Sequence, residues 1–138
     1  MQSLTKKKLN ELTYEVIGAA IEVHKILGPG LVESIYVRCL RHEFDLRRIA
    51  YKCEQQINFC YKGISMNSFL RYDFYIEDCL IAEIKAIEKT LPIHEAILLT
   101  YMNLQQAPKG IMINFNCQNL FRNGQKTFVN ELFTVLPD

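Results

Sequence analysis

Asp73, Glu83 and Lys85 lie within the stretch RYDFYIEDCLIAEIKAIEK, residues 71–89, where a run rich in Ile, Leu and Ala carries charge at its centre. The connection between the two halves is too short for anything but an antiparallel hairpin. With Glu77-Asp78-Cys79 as its loop, Ile76 pairs with Leu80, Tyr75 with Ile81, and Asp73 falls opposite Glu83, with Arg71 facing Lys85. A two-residue loop asks for primed-turn residues such as Asn-Gly, which Glu77-Asp78 is not, and would put the two acids on opposite faces. Alternation along each strand then sets Asp73, Glu83 and Lys85 on one face and Phe74, Ala82 and Ile84 on the other. Facing carboxylates with Cβ atoms about 5 Å apart repel in a half-buried site unless a cation sits between them. Oxygen ligands favour Mg²⁺ or Mn²⁺, held by Asp73, Glu83 and a nearby backbone carbonyl, assigned to Ile84, with room left for a phosphate oxygen. Lys85 is placed to hold a water or to offset charge on the attacked phosphorus. That chemistry is metal-assisted phosphodiester cleavage. The same residues are also compatible with a cross-strand ion network in which Arg71 and Lys85 pair with the acids.

The elements that must position these groups follow from periodicity. Leu9, Leu12, Val16, Ala19, Ala20, Val23 and Leu27 predict an amphipathic helix over about 9–27, stopped by Gly28-Pro29-Gly30. A second helix places Ile35, Cys39, Leu40, Phe44 and Leu46 inward and Arg38, Arg41, Arg47 and Arg48 in solvent. From Tyr51 to Tyr61 the period becomes two, predicting a strand, with a turn at Lys62-Gly63. Runs at about 68–76 and 80–87 complete a meander. A third helix follows, with Thr90 as N-cap, Pro92 in its first turn and an inward stripe of Ile93, Ile97, Tyr101 and Leu104. GIMINFN, residues 110–116, reads as a buried strand parallel to the one carrying Glu83. The tail from Gly124 to Leu136 is apolar enough for a last strand. The order is ααβββαβ, an α/β (α+β) arrangement with a mixed central sheet flanked by helices.

At 138 residues, 49% hydrophobic and 22% charged, the chain has the composition of an ordinary globular protein and the length of a single domain, 1–138, with one core. No apolar run is long enough to span a membrane, and MQSLTKKKLNEL lacks the pattern of a signal peptide, so a cytoplasmic location is expected. Five widely spaced cysteines read as reduced, mostly buried thiols, which argues against a zinc site or a disulfide framework. A net charge of +1 gives no global basic field, so a nucleic-acid partner would be held by local patches or through metal ions. Lys6, Lys7 and Lys8 read as a solvated, frayed terminus. His94, in the first turn of its helix, reads as a capping or surface histidine, and Asn114 and Asn116 as strand terminators.

Asp73 followed by Glu83-Ile84-Lys85 resembles the Asp…Glu-x-Lys signature of the PD-(D/E)XK nuclease superfamily, with its restriction-endonuclease-like αβββαβ core. GLVESIY, residues 30–36, supplies Gly30-x-x-Glu33-x-x-Tyr36, the pattern that names the GxxExxY family within it. LGPGLVESIY, YKG, RYDFYIED, IAEIKAIE, PIHEAILLTYM and INFN resemble that family's blocks in its order, over about residues 9–120. The resemblance implies a Mg²⁺- or Mn²⁺-dependent nuclease acting on DNA rather than RNA, with Asp73 and Glu83 as metal ligands, Lys85 as the catalytic lysine and Glu33 as a third acidic group. Tyr36 and Tyr101 would border the site as core aromatics with bonded hydroxyls. One position departs: the family's usual Gln, four residues before the tyrosine of the third helix, is here Ile97. That departure leaves open a catalytically inactive nucleic-acid-binding or protein-assembly module, and the Arg-rich second helix a third, regulatory role against a partner. A chain this small buries limited DNA surface, so a homodimer is compatible with it.

Overall fold

The first helix, α1 (Lys6–Leu27), begins where Thr5 Oγ1 accepts the Lys8 N–H at 3.1 Å, a side-chain cap that satisfies one of the free amides of the first turn. The computed structural model describes residues 3–138. Lys6–Lys8 form the first turn of this helix rather than a frayed end, and the Lys6 N–H is tied to the Pro137 carbonyl at 2.8 Å. The helix ends at Gly28, whose φ of 71° closes it, and Gly30 at φ 102° redirects the chain into α2 (Glu33–Leu46). On α2 the inward face is Tyr36, Val37, Leu40 and Phe44; Leu46, expected inside, is exposed at the last turn, while Arg38, Arg41, Arg47 and Arg48 face solvent.

The expected strand over 51–61 is two short ones. β1 (Tyr51–Cys53) stops at Glu54, which takes a left-handed φ of 54° that no extended run accommodates. β2 (Phe59–Tyr61) pairs instead with β3 (Ile64–Met66) as a separate two-stranded sheet, turning through Lys62-Gly63 with positive φ at both. Period-two patterning marks both pieces alike and carries no sign of the break. β4 (Phe74–Ile76) and β5 (Leu80–Lys85) are shorter than the runs expected over 68–76 and 80–87. α3 (Pro92–Gln105), β6 (Lys109–Asn114), a π-helical turn at Leu120–Gly124, β7 (Gln125–Val129) and the short α4 (Glu131–Thr134) complete the chain.

The main sheet runs β1-β4-β5-β6-β7, antiparallel throughout except for the β5–β6 pair, which is parallel as the strand-helix-strand order requires. Thus β1, β4 and β5 form the expected meander, interrupted by the β2–β3 hairpin, and the tail supplies a last strand plus a helix capped by Asn130 Oδ1 on the Leu132 N–H. This is a mixed sheet flanked by helices, the architecture expected. The core is in two layers rather than one. On one face α1 and α2 pack Leu9, Val16, Leu40 and Phe44 against Phe74, Ile76, Leu80, Ala82, Ile84, Ile111 and Ile113. On the other, Leu98 and Met102 of α3 cover Tyr75, Ile81 and Met112 together with Ile57 and Tyr72.

Three expectations change for physical reasons. α3 is apolar on nearly every side, so its inward stripe is ambiguous from sequence; Leu98 and Met102 point in with Tyr101 and Leu104 packed beside them, while Ile93 and Ile97 are exposed. Its N-cap is Leu91, not Thr90, and the cap is supplied by His94, whose Nδ1 accepts the Leu91 N–H at 2.9 Å. All five cysteines are free, but only Cys79 is buried and Cys60 is exposed. Among the described residues no helix is long and apolar enough to cross a membrane.

Gly124 lets β7 approach the chain leaving β6. A Cβ there would lie 2.8 Å from the Asn114 carbonyl oxygen and 2.8 Å from Cys117 Sγ. Backbone does not yield as a side-chain tip does, so Gly124→Ala should destabilise the protein by about 1–3 kcal/mol. Urea denaturation checks this; a midpoint equal to that of the parent would mean β7 shifts without cost.

Candidate functional site

The β4–β5 hairpin sets the register on which the site depends. Ile76 pairs with Leu80, Tyr75 with Ile81 and Phe74 with Ala82, and one further step brings Asp73 opposite Glu83. The loop is the three residues Glu77–Cys79, closed by the Cys79 N–H on the Ile76 carbonyl at 3.1 Å. Glu77 and Asp78 both take left-handed φ, 47° and 55°, the conformation of a primed turn that their identities did not suggest. Cys79 is then absorbed as the extra residue that keeps both acids on one face.

At its open end the hairpin parts, and side chains replace the ladder. Asp73 Oδ2 accepts the Ile84 N–H at 2.7 Å, and Glu83 Oε1 accepts the Asp73 N–H at 3.2 Å. The Asp73 carbonyl turns the other way, to the Glu54 N–H at 3.0 Å. A strand residue's N–H and C=O leave on the same edge. The Ile84 carbonyl therefore leaves on the same edge of β5 as its N–H, the edge that Asp73 faces. By alternation Asp73, Glu83 and Lys85 share the α3 face of the sheet with Tyr75 and Ile81, while Ile84 is buried beneath α1 and α2.

Charge is frustrated here. Glu83 is only 8% exposed, and burial first, then the neighbouring Asp73 charge and Glu33, push its carboxyl up to about 8; the Asp73 N–H and Lys85 oppose this. Asp73 is raised as well, chiefly by burial, against the Ile84 N–H and Lys85. Glu33 is raised by burial and then by Asp73, with Lys85 opposing. These electrostatic links bring Glu33, from a different element, into the field of the two acids and the lysine. Tyr101 on α3 lies in the same field: its hydroxyl is raised by burial and then by the charges of Glu83 and Asp73.

Two residues hold the site without taking part in its field. Tyr36 is fully buried, its ring stacked on Phe115 at 4.4 Å. Its hydroxyl donates to the Gly28 carbonyl at 2.6 Å and accepts the Leu31 N–H at 3.2 Å. It therefore locks the loop that delivers Glu33 to the first position of α2. Asn114, beside Lys85 in the β5–β6 register, accepts the N–H groups of Ile87 and Asn116 and donates to the Ile87 carbonyl. That clasp fixes the chain just beyond Lys85. Read as a strand terminator, Asn114 carried one signal of more, a carboxamide inside an otherwise apolar run. Ile97 sits one turn before Tyr101, 38% exposed, and offers no polar atom toward the acids.

The donor set suits a hard divalent cation. Each acid has one oxygen engaged by an N–H and keeps lone pairs free, and with the Ile84 carbonyl the donors are all oxygen. With both carboxylates ionised, as ion binding would require, the acids outweigh the one ammonium, and a divalent ion would offset that excess negative charge. Among the described residues no group of three or more His, Cys, Asp and Glu side chains converges closely enough to hold a metal. A cavity of about 350 Å³ between the start of α3 and the ends of β6 and β7 is lined by Thr90, Glu95, Asn114 and Lys126 among others, and by none of Glu33, Asp73, Glu83 or Lys85. The acids lie instead where β4 and β5 separate.

A family model described as the PD-(D/E)XK nuclease superfamily matches residues 10–128. Neither curated proteins nor solved structures gave a match.

The elevated Glu83 carboxyl makes stability depend on pH. Between its ordinary value near 4.5 and about 8 the folded chain binds more protons than the unfolded one. Stability from this group is therefore full below about 4.5 and is lost as pH rises through about 8. In metal-free buffer the melting temperature should fall across that interval, and Glu83→Gln should flatten the fall. Parallel pH profiles for parent and variant would contradict the assigned environment.

Proposed function

Because the chain belongs to the PD-(D/E)XK nuclease superfamily, whose members generally use divalent metals, we propose that it is a Mg²⁺- or Mn²⁺-dependent nuclease of the GxxExxY type that hydrolyses phosphodiester bonds in DNA. The observation that carries this reading is the facing of Asp73 and Glu83 across two parting strands, with Lys85 on the same face and Glu33 within their field. In this reading Asp73, Glu83 and the Ile84 carbonyl hold the ion. When bound, the ion supplies Lewis-acid polarisation of the phosphodiester and a lowered pKa for the attacking water.

The rest falls to the chain's own groups. Lys85 carries a positive charge to where negative charge builds on the phosphoryl oxygens, an interaction stronger in the transition state than in the ground state. Glu33, first residue of α2, is positioned by the Tyr36 clamp to accept a proton from an incoming water. Gly30, Glu33 and Tyr36 thereby gain separate roles: a left-handed backbone turn, an acid, and the hydroxyl that ties the loop. This division of labour supports the GxxExxY assignment. The Tyr101 hydroxyl borders the acids from α3.

A second reading, an inactive module that keeps the fold and binds nucleic acid or protein, is favoured by Ile97. An apolar side chain there removes a polar group that would orient water or substrate.

Two measurements separate the readings. Lys85→Ala should lower Mn²⁺-dependent cleavage of a DNA substrate by about 10²–10³-fold while leaving the far-UV spectrum and melting temperature near those of the parent. In calorimetric titration the parent should bind Mn²⁺ and Asp73→Asn should not. Unchanged cleavage by the lysine variant would refute its role; absence of both cleavage and Mn²⁺ binding in the parent would favour the inactive module.

A further inference from the structure

The segment between β1 and β4 carries more apolar surface into solvent than its own folding needs. Its base is firmly held: Ile57 is fully buried with Tyr72 and Tyr75, its N–H donates to the Leu70 carbonyl at 2.8 Å, and Ser68 Oγ donates to the Ile57 carbonyl. Beyond that base the β2–β3 hairpin stands free as a sheet of its own, with Tyr61 55% and Ile64 61% exposed, and at the base itself Phe69, between Ser68 and Leu70, is 97% exposed. A lone two-stranded hairpin gains little from presenting large apolar side chains to water, and such a patch marks a contact surface.

Charge identifies the partner. Residues 55–72 contain no Asp or Glu, whereas Lys62 and Arg71 are exposed and neither forms an ion pair among the described residues. Lys62 Nζ lies 5.5 Å from the Tyr61 ring centroid, so cation and aromatic face are presented together. Exposed aromatics interleaved with cations and amides suit unpaired bases, which stack on the rings, and their phosphates, which meet the cations. A second copy of this chain fits poorly, since a twofold contact between two such segments would bring four cations together with no acid from residues 55–72 to offset them. Position agrees as well: Arg71 bridges Gln56, and the chain leaving the arm reaches Asp73 two residues later.

We propose that the segment between β1 and β4 is a docking arm for single-stranded or locally unpaired DNA, with Tyr61 at the hairpin and Phe69 at its base as stacking platforms and Lys62 and Arg71 as phosphate contacts, delivering the strand to the acid pair. The idea rests on the nuclease reading for its substrate, but its binding test is separate from catalysis. Fluorescence anisotropy in metal-free buffer would compare a labelled single-stranded oligonucleotide with a blunt duplex of the same sequence, using the intact chain and the surface variant Tyr61→Ala/Phe69→Ala. Single-strand affinity should fall about tenfold or more in the variant, with a smaller change for the duplex and unchanged Mn²⁺ binding by calorimetry. Equal affinities for parent and variant, or no oligonucleotide binding by the parent, would overturn the arm while leaving the acid-pair chemistry standing. Light scattering that finds a dimer dissociated by the double substitution would assign the surface to a second copy and overturn the proposal as well. Retained strand binding without any cleavage would uphold the arm and sink the nuclease reading.

Discussion

Two carboxylates held against each other, Glu83 nearly dry and Asp73 half-buried, are the constraint around which this molecule is arranged. Burying Glu83 beside Asp73 costs on the order of a few kcal/mol at neutral pH, a cost that hydrophobic residues of similar volume would not incur. The fold retains the pair by giving each acid a backbone N–H at the point where the β4–β5 ladder opens. Those two bonds replace the backbone pairing lost there, so the acids both open the hairpin and stabilise its open end. Divalent-ion chemistry gives this frustration a use, since an ion of charge +2 turns mutual repulsion into shared attraction.

Supporting parts lie on the two sides of the sheet. The α1–α2 layer fixes the strands from below and, through the Tyr36 hydroxyl, sets the loop before Glu33. The α3 layer contributes Tyr101 on the side of the acids, while Leu98 and Met102 anchor the helix on β6 and its neighbours. The Asn114 clasp joins the ends of the two parallel strands, so the backbone leaving Lys85 is held by a side chain from the adjacent strand. Rigid elements thus carry Glu33, Glu83 and Lys85, with Asp73 one residue before β4. The aromatic arm between β1 and β4 is a different kind of part, rooted in the core by Ile57 and exposed at its tip.

Local rules read the helices well because their signals are local. The Gly28-Pro29-Gly30 stop, the α1 stripe and the Lys62-Gly63 turn each depend on residues within a few positions of one another. The hairpin register was also legible: a three-residue loop and strand alternation together set Asp73 directly opposite Glu83 on a common face. Where the same reading missed, the deciding contact was distant. α3 is apolar on several sides, and contact with the sheet selected Leu98 and Met102 over Ile93 and Ile97. The break at Glu54 is invisible to a period-two pattern because alternation persists on either side of it.

The sequence by itself determined the order of the three long helices and the main-sheet strands, the β4–β5 pairing and the acids, lysine and tyrosines that resemble a known signature, because spacing along one chain encodes periodicity and turn length. Tertiary structure alone decided which donors quiet those acids, how Tyr36 reaches back to Gly28, where Asn114 grips Ile87, and that a hairpin rather than a long strand projects beside Asp73. Each of these depends on atoms brought together by packing from separate parts of the chain, and on the free energy of burying charge, which exists only once the surrounding layers have closed.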